Sequence, residues 1–156
     1  MCQRLVQRGY LVICWDPVGQ AERSQFWDAG VGKSRYNLVC GEHAVLGNLA
    51  YLAGANLVRW RIWDGIRAVD YLLTRPDVDA TRLSITGTSG GGVQASYIGA
   101  LDARIKVVVP SCFISSLPMR AYNRIFADPD SDPEQDPYGM IAQGVDHTGL
   151  LLLIYP

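Results

Sequence analysis

Gly87-Thr88-Ser89-Gly90-Gly91 fits the spacing G-x-S-x-G, which sets a hydroxyl nucleophile among small residues. If Ser89 stands in a tight turn between a strand and a helix, its Oγ projects at the helix N-terminus and can attack an acyl carbon. The N–H of Gly90 and the positive end of the helix dipole then face the oxyanion created by that attack. Gly87 and Gly91 are expected to make the turn possible, because side chains there would strike the neighbouring strand and helix. Glycine-rich turns at helix N-termini also bind phosphate. A P-loop, however, needs Lys and Ser/Thr after its last glycine, and Val93 and Gln94 stand there. The remaining alternative is a turn that only packs a strand on a helix, so the flanking elements decide.

Those elements can be read from the pattern. Residues 82–87 (RLSITG) predict a short buried strand directly before the turn, and residues 93–101 predict a helix directly after it. Residues 105–109 (IKVVV) are β-branched and closed by Pro110, predicting a further strand. Upstream, Gly9 closes the end of a helix over residues 4–8, and residues 10–15 (YLVICW) predict a strand buried on both faces, ended by Asp16-Pro17-Val18-Gly19. Residues 20–55 are broken by glycines and predict loops and short helical pieces. Residues 56–74 give the clearest helix, with Ile62, Ile66, Val69 and Leu73 on one face and Pro76 as its stop. Residues 150–155 predict a last buried strand. Strands alternating with helices imply an α/β fold, a mostly parallel sheet with flanking helices, in one domain over residues 1–156.

Composition narrows the function classes. The 156 residues are 49% hydrophobic and 19% charged with a formal net charge of -1, enough apolar material for a globular domain. No Lys/Arg-rich run exists to bind a phosphate backbone, so no nucleic acid partner is expected. No apolar run is long enough to span a bilayer, so no membrane partner is expected, and the N-terminal residues lead into no signal-peptide core. The chain reads as soluble, with the location of the parent protein open. Cys2, Cys14, Cys40 and Cys112 lack metal-site spacing and are expected to be reduced core thiols. Residues 128–136 predict an exposed loop without EF-hand spacing. No cofactor and no metal is expected.

The sequence holds two histidines, His43 and His147. His147 follows Asp146, but adjacent side chains rarely form the relay that orients a base, so a loop or core role is the simpler reading. His43 lies in a glycine-flanked stretch and could line a substrate pocket. Trp60 and Trp63 are expected to pack their helix on the sheet, Trp27 is the better sugar-stacking candidate, and Arg59, Arg61 and Arg67 are expected on a solvated face.

Residues 16–24 (DPVGQAERS) resemble the D-x-x-G-x-G-x-S turn that follows the fourth strand of α/β-hydrolases, with Ala21 in place of the second glycine. Gly41-Glu42-His43, residues 61–72 (RIWDGIRAVDYL) and residues 87–92 (GTSGGG) resemble the acetyl xylan esterase-like branch of that superfamily. The resemblance implies a partial α/β-hydrolase fold, with the fourth to seventh strands over residues 11–15, 83–86, 105–109 and 150–154. It implies Ser89 as nucleophile, Gly90 as an oxyanion donor, and a triad acid and histidine beyond Pro156, so that the chain is an internal fragment. The implied substrate is a small acyl ester on carbohydrate, such as acetylated xylan. A polypeptide lacking acid and base could instead be a catalytically silent structural or interaction module. Bare strand edges invite pairing between copies, and a homo-oligomer is expected on that ground.

Overall fold

A computed structural model describes residues 2–36, 41–123, 133–135 and 137–154. The helices are α1 (Cys2–Val6), α2 (Gly41–Leu52), α3 (Leu57–Leu72), α4 (Gly90–Leu101), α5 (Leu117–Asn123) and α6 (His147–Ile154). The strands are β1 (Trp27–Asp28), β2 (Lys33–Ser34), β3 (Leu83–Thr88) and β4 (Ile105–Ser111). β1 and β2 make a two-residue antiparallel ladder, whereas β3 and β4 run parallel in register from Leu83 opposite Ile105 to Thr88 opposite Ser111. The expected α/β organisation of a parallel sheet with flanking helices is therefore present, on two strands. The β-branched run at residues 107–109 suits the pleated ladder, and α4 supplies the crossover that a parallel pair requires.

The core gathers on one side of this unit. Val58 of α3, Val93 and Tyr97 of α4, Phe113 and Leu150 of α6 form one buried cluster. Helix and sheet approach closely: a Cβ on Gly92 would stand 2.6 Å from Ser111 O, and one on Gly99 would stand 3.0 Å from Val108 Cγ1. At the far end of α4, buried Asp102 holds Arg104, whose Nη1 also donates to Asp70 of α3 at 2.6 Å. α3 is thus tied to α4 through both packing and charge.

Two predicted strands are not formed. Residues 10–15 lie in no ladder, with Tyr10, Leu11 and Cys14 exposed. An apolar run becomes a strand only with a neighbour at hydrogen-bonding distance. Here a groove of about 520 Å³, bordered by Leu11, Ile13, Trp15, Ile85 and Val109, separates it from β3. Residues 147–154 are helical instead of a strand. Leucine is a strong helix former, and Asp146 Oδ1 accepts the N–H of His147 at 2.7 Å to start the helix. Only one leucine of this run, Leu150, is buried, while Leu151, Leu152 and Leu153 face outward.

Three further expectations need correction. Trp60 and Trp63 are exposed, and Arg67 lies over the Trp63 ring at 4.4 Å, because the buried stripe of α3 runs instead through Leu57, Val58, Arg61, Gly65 and Val69. Arg61 is therefore inside the fold, not on a solvated face. Cys14 and Cys112 are exposed and Cys2 half-buried, since the segments that carry them border the groove or a turn; Cys40 lies outside the described residues. Most of the loop expected at residues 128–136 also lies outside them, but Pro133 and Glu134 within it are buried.

Candidate active site

The turn after β3 has the backbone that the G-x-S-x-G spacing predicts. Ser89 sits between the strand end at Thr88 and the helix start at Gly90 with φ 56° and ψ -117°, a conformation that a side chain rarely adopts without support. Its N–H donates to Ser111 O of β4 at 2.9 Å, and its own carbonyl accepts from Val93 N at 2.9 Å, so strand and helix both fix it. Ser89 itself is exposed. The helix begins at Gly90, three residues earlier than predicted, so the whole GGG stretch is wound into its first turn. As the first residue of α4, Gly90 has no intrahelical acceptor for its N–H.

The two flanking glycines differ. A Cβ on Gly87 would lie 2.7 Å from Gly91 Cα and against the Gly91 carbonyl, so strand and helix touch backbone to backbone there. A Cβ on Gly91 would meet nothing within 4 Å; that residue opens onto the groove beside β3, contrary to the expected clash. Cys112, directly after β4 and next to the Ser111 carbonyl that holds Ser89, also has a positive φ of 54°.

The histidines are not at the turn surface. His147 is fully buried on α6, its ring 4.2 Å from the Phe113 ring and its Nε2 3.4 Å from Gln135 O. Burial holds its basicity below the ordinary histidine value, so it is neutral at physiological pH. Asp146 accepts the backbone N–H groups of His147 and Leu117, which is a capping role rather than a relay. His43 lies within α2, not in a loop, and is equally buried, with Nδ1 3.5 Å from Glu134 Oε2.

Sequence reasoning missed two buried charged groups, the Glu42 carboxylate and the Arg61–Glu134 pair. Glu42 on α2 accepts the hydroxyls of Ser24 and Ser34 and the N–H groups of Gln25 and Phe26. Burial pushes its carboxyl up, but these four donors outweigh that effect and hold it below the usual range. It thereby fastens the loop that carries Trp27. The second group joins Glu134 to Arg61 of α3 in an ion pair, while Arg61 Nη2 donates to Val18 O at 3.0 Å. Glu134 also reaches the turn: its Oε1 stands 2.8 Å from where a Cβ on Gly90 would be. The alternation of Arg59, Arg61 and Arg67 with apolar positions hid the fact that 61 falls on the buried stripe. No group of three or more His, Cys, Asp or Glu able to hold a metal ion exists among the described residues.

Residues 6–134 match the family described as acetyl xylan esterase (AXE1). A protein of Bacillus subtilis (strain 168) named "Putative hydrolase YtaP" is 41% identical over 61 residues, a stretch covering 39% of this chain and 20% of that protein. No solved structure matches the chain.

Proposed function

The chain belongs to the acetyl xylan esterase (AXE1) family, and from that premise we propose that it carries the nucleophile of a serine hydrolase of carboxylic esters. The observation that supports this reading is the left-handed Ser89 at the junction of β3 and α4, exposed and followed by the first N–H groups of a helix. Ser89 Oγ attacks the acyl carbon and the alcohol leaves, giving an acyl-enzyme that water then hydrolyses. The Gly90 N–H and the helix dipole stabilise the tetrahedral oxyanion on the way. Small acyl esters on carbohydrate fit this proposal. Trp27 is exposed beside Ala21, Glu22 and Ser24 in a shallow hollow of about 500 Å³, where an indole face can meet a sugar ring.

The test is phosphonylation by a fluorophosphonate probe followed by intact-protein mass spectrometry. In a version of the protein that supplies Ser89 with a general base, Ser89 is expected to be the one serine labelled, and Ser89→Ala to leave the mass unchanged. Equal labelling of both proteins removes the assignment.

One observation favours a second reading of the 156-residue chain by itself. Both of its histidines are buried, His43 at 1% and His147 at 0% exposure, and burial weakens His147 as a base. A serine hydroxyl without a base is a weak nucleophile at neutral pH. The isolated chain is therefore expected to hydrolyse p-nitrophenyl acetate close to the buffer rate. A bell-shaped pH profile that disappears in His147→Ala would show that His147 does reach the serine.

A further inference from the structure

Glu134 occupies a position that neither the G-x-S-x-G spacing nor the nucleophile reading explains. It lies on a short strap whose three residues each engage a different part of the fold. Pro133 sits over Gly47 of α2, where a Cβ would come within 2.7 Å of its Cγ, and its carbonyl accepts from Tyr51 Oη at 3.1 Å. Glu134 pairs with Arg61 of α3 and lies over Gly90 of α4. Gln135 O faces the His147 ring of α6 at 3.4 Å. The carboxylate is 2% exposed, so it is held where it is by its neighbours and not by solvent.

We propose that Glu134 is a positioning residue for the oxyanion donor: its carboxylate, neutralised by Arg61, wedges the first turn of α4 and fixes the direction of the Gly90 N–H. A left-handed serine persists only when its surroundings over-determine it. From β4, Ser111 O holds the Ser89 N–H at 2.9 Å. The next peptide is held by its Ser89 carbonyl, which accepts from Val93 N at 2.9 Å within α4, and Glu134 Oε1 packs on its Gly90 end, filling the space that any side chain on residue 90 would need. Glycine at 90 is therefore the residue that admits the wedge. Arg61 has a distinct task, because a bare carboxylate this close to Gly90 would oppose the negative charge that develops at its N–H. Its bond to Val18 O extends the same brace to the loop after residues 10–15.

This inference rests on Ser89 as nucleophile, so the experiment separates the two. Phosphonylation of the 156-residue chain is followed over hours at pH 9, where a serine hydroxyl needs less help from a base, and resolved into probe affinity and maximal rate. Ser89→Ala reports on the nucleophile alone: if it labels like the parent chain, that reading falls. The pair is then replaced together, Arg61→Met with Glu134→Ala, which removes both charges and empties the space beside Gly90. The expected result is a cooperative melt, unchanged probe affinity and a maximal rate about tenfold lower, since the donor is misdirected while the binding surface is intact. A rate within twofold of the parent chain overturns the proposal.

Gly90→Ala gives the decision from the other side and serves if the double variant does not fold. In the parent background its Cβ meets the Glu134 carboxylate, and the same tenfold loss at unchanged affinity is expected; an unaffected rate with a normal melt overturns the proposal. Where the double variant folds, adding Gly90→Ala to it is expected to cost little more, because the wedge is already gone. An equal loss in both backgrounds would show that residues 90 and 134 act independently and would also overturn it.

Discussion

Gly87→Ala is expected to lower stability by about 3 kcal/mol, while Gly91→Ala, in the same motif, changes it by less than about 1 kcal/mol. At Gly87 the added methyl would press on the Cα and carbonyl of Gly91, so the contact is backbone against backbone and no side chain can swing aside. Relief requires β3 and α4 to move apart, and the buried residues between them, Leu83 and Val93 to Ile98, lose contact together. At Gly91 nothing lies within 4 Å, and alanine has the better helix propensity. With stabilities of roughly 5–15 kcal/mol for ordinary domains, a 3 kcal/mol loss lowers the melting temperature by about 10 °C in a chain of this size. Circular dichroism melts of both variants check this. A Gly87→Ala protein melting within two or three degrees of the parent chain would mean that strand and helix are not in backbone contact.

Arg61→Met is expected to be at least as damaging, by about 3–5 kcal/mol, because it strands the Glu134 carboxylate inside the fold. It also removes the donor to Val18 O. The informative comparison is with Arg61→Met/Glu134→Met, which should recover most of that loss, since two apolar side chains need no compensation for lost hydration. Chemical denaturation of the two single variants and the double variant gives the coupling energy. A double variant as unstable as Arg61→Met would place the cost in the Val18 bond or in packing, and not in the unpaired charge.

The residues that build the turn are legible in the sequence because their information is local. Gly87, Ser89 and Gly90 lie within four residues, the strand before them alternates Leu83 and Ile85 with polar residues, and the crossover through α4 to β4 spans residues 83–111. What failed depended on distant partners. Residues 10–15 have strand composition, but whether they join a ladder is decided by what lies beside them, and here a groove does. The run at 150–153 reads as a buried strand, yet leucine is a strong helix former and the segment is a helix in which Leu150 alone of these four is buried. Arg61 was misjudged for a related reason. Charge placed it outside, whereas its helical register with Leu57, Val58 and Val69 places it inside, and its partner Glu134 is 73 positions away in a stretch that reads as loop. His43 likewise reads as a loop residue among glycines, yet Gly41 and Gly47 are helical residues of α2, Gly47 being small to admit Pro133.

The parallel pair carries one more consequence, which concerns the order of assembly. β3, α4 and β4 are contiguous in the chain, so their mutual contacts close loops of a few tens of residues at most, whereas the ion pair at residues 61 and 134 closes a far longer one. Loop-closure entropy rises with length and contacts of short sequence separation form first. The nascent chain thus encounters its strained serine turn before the brace from residue 134 arrives. Until then the turn is held by β4 and α4 alone, and the late docking of residues 133–135 adds the support on its Gly90 side. A lesion in the strap should therefore leave the folding rate largely unchanged and appear instead as faster unfolding.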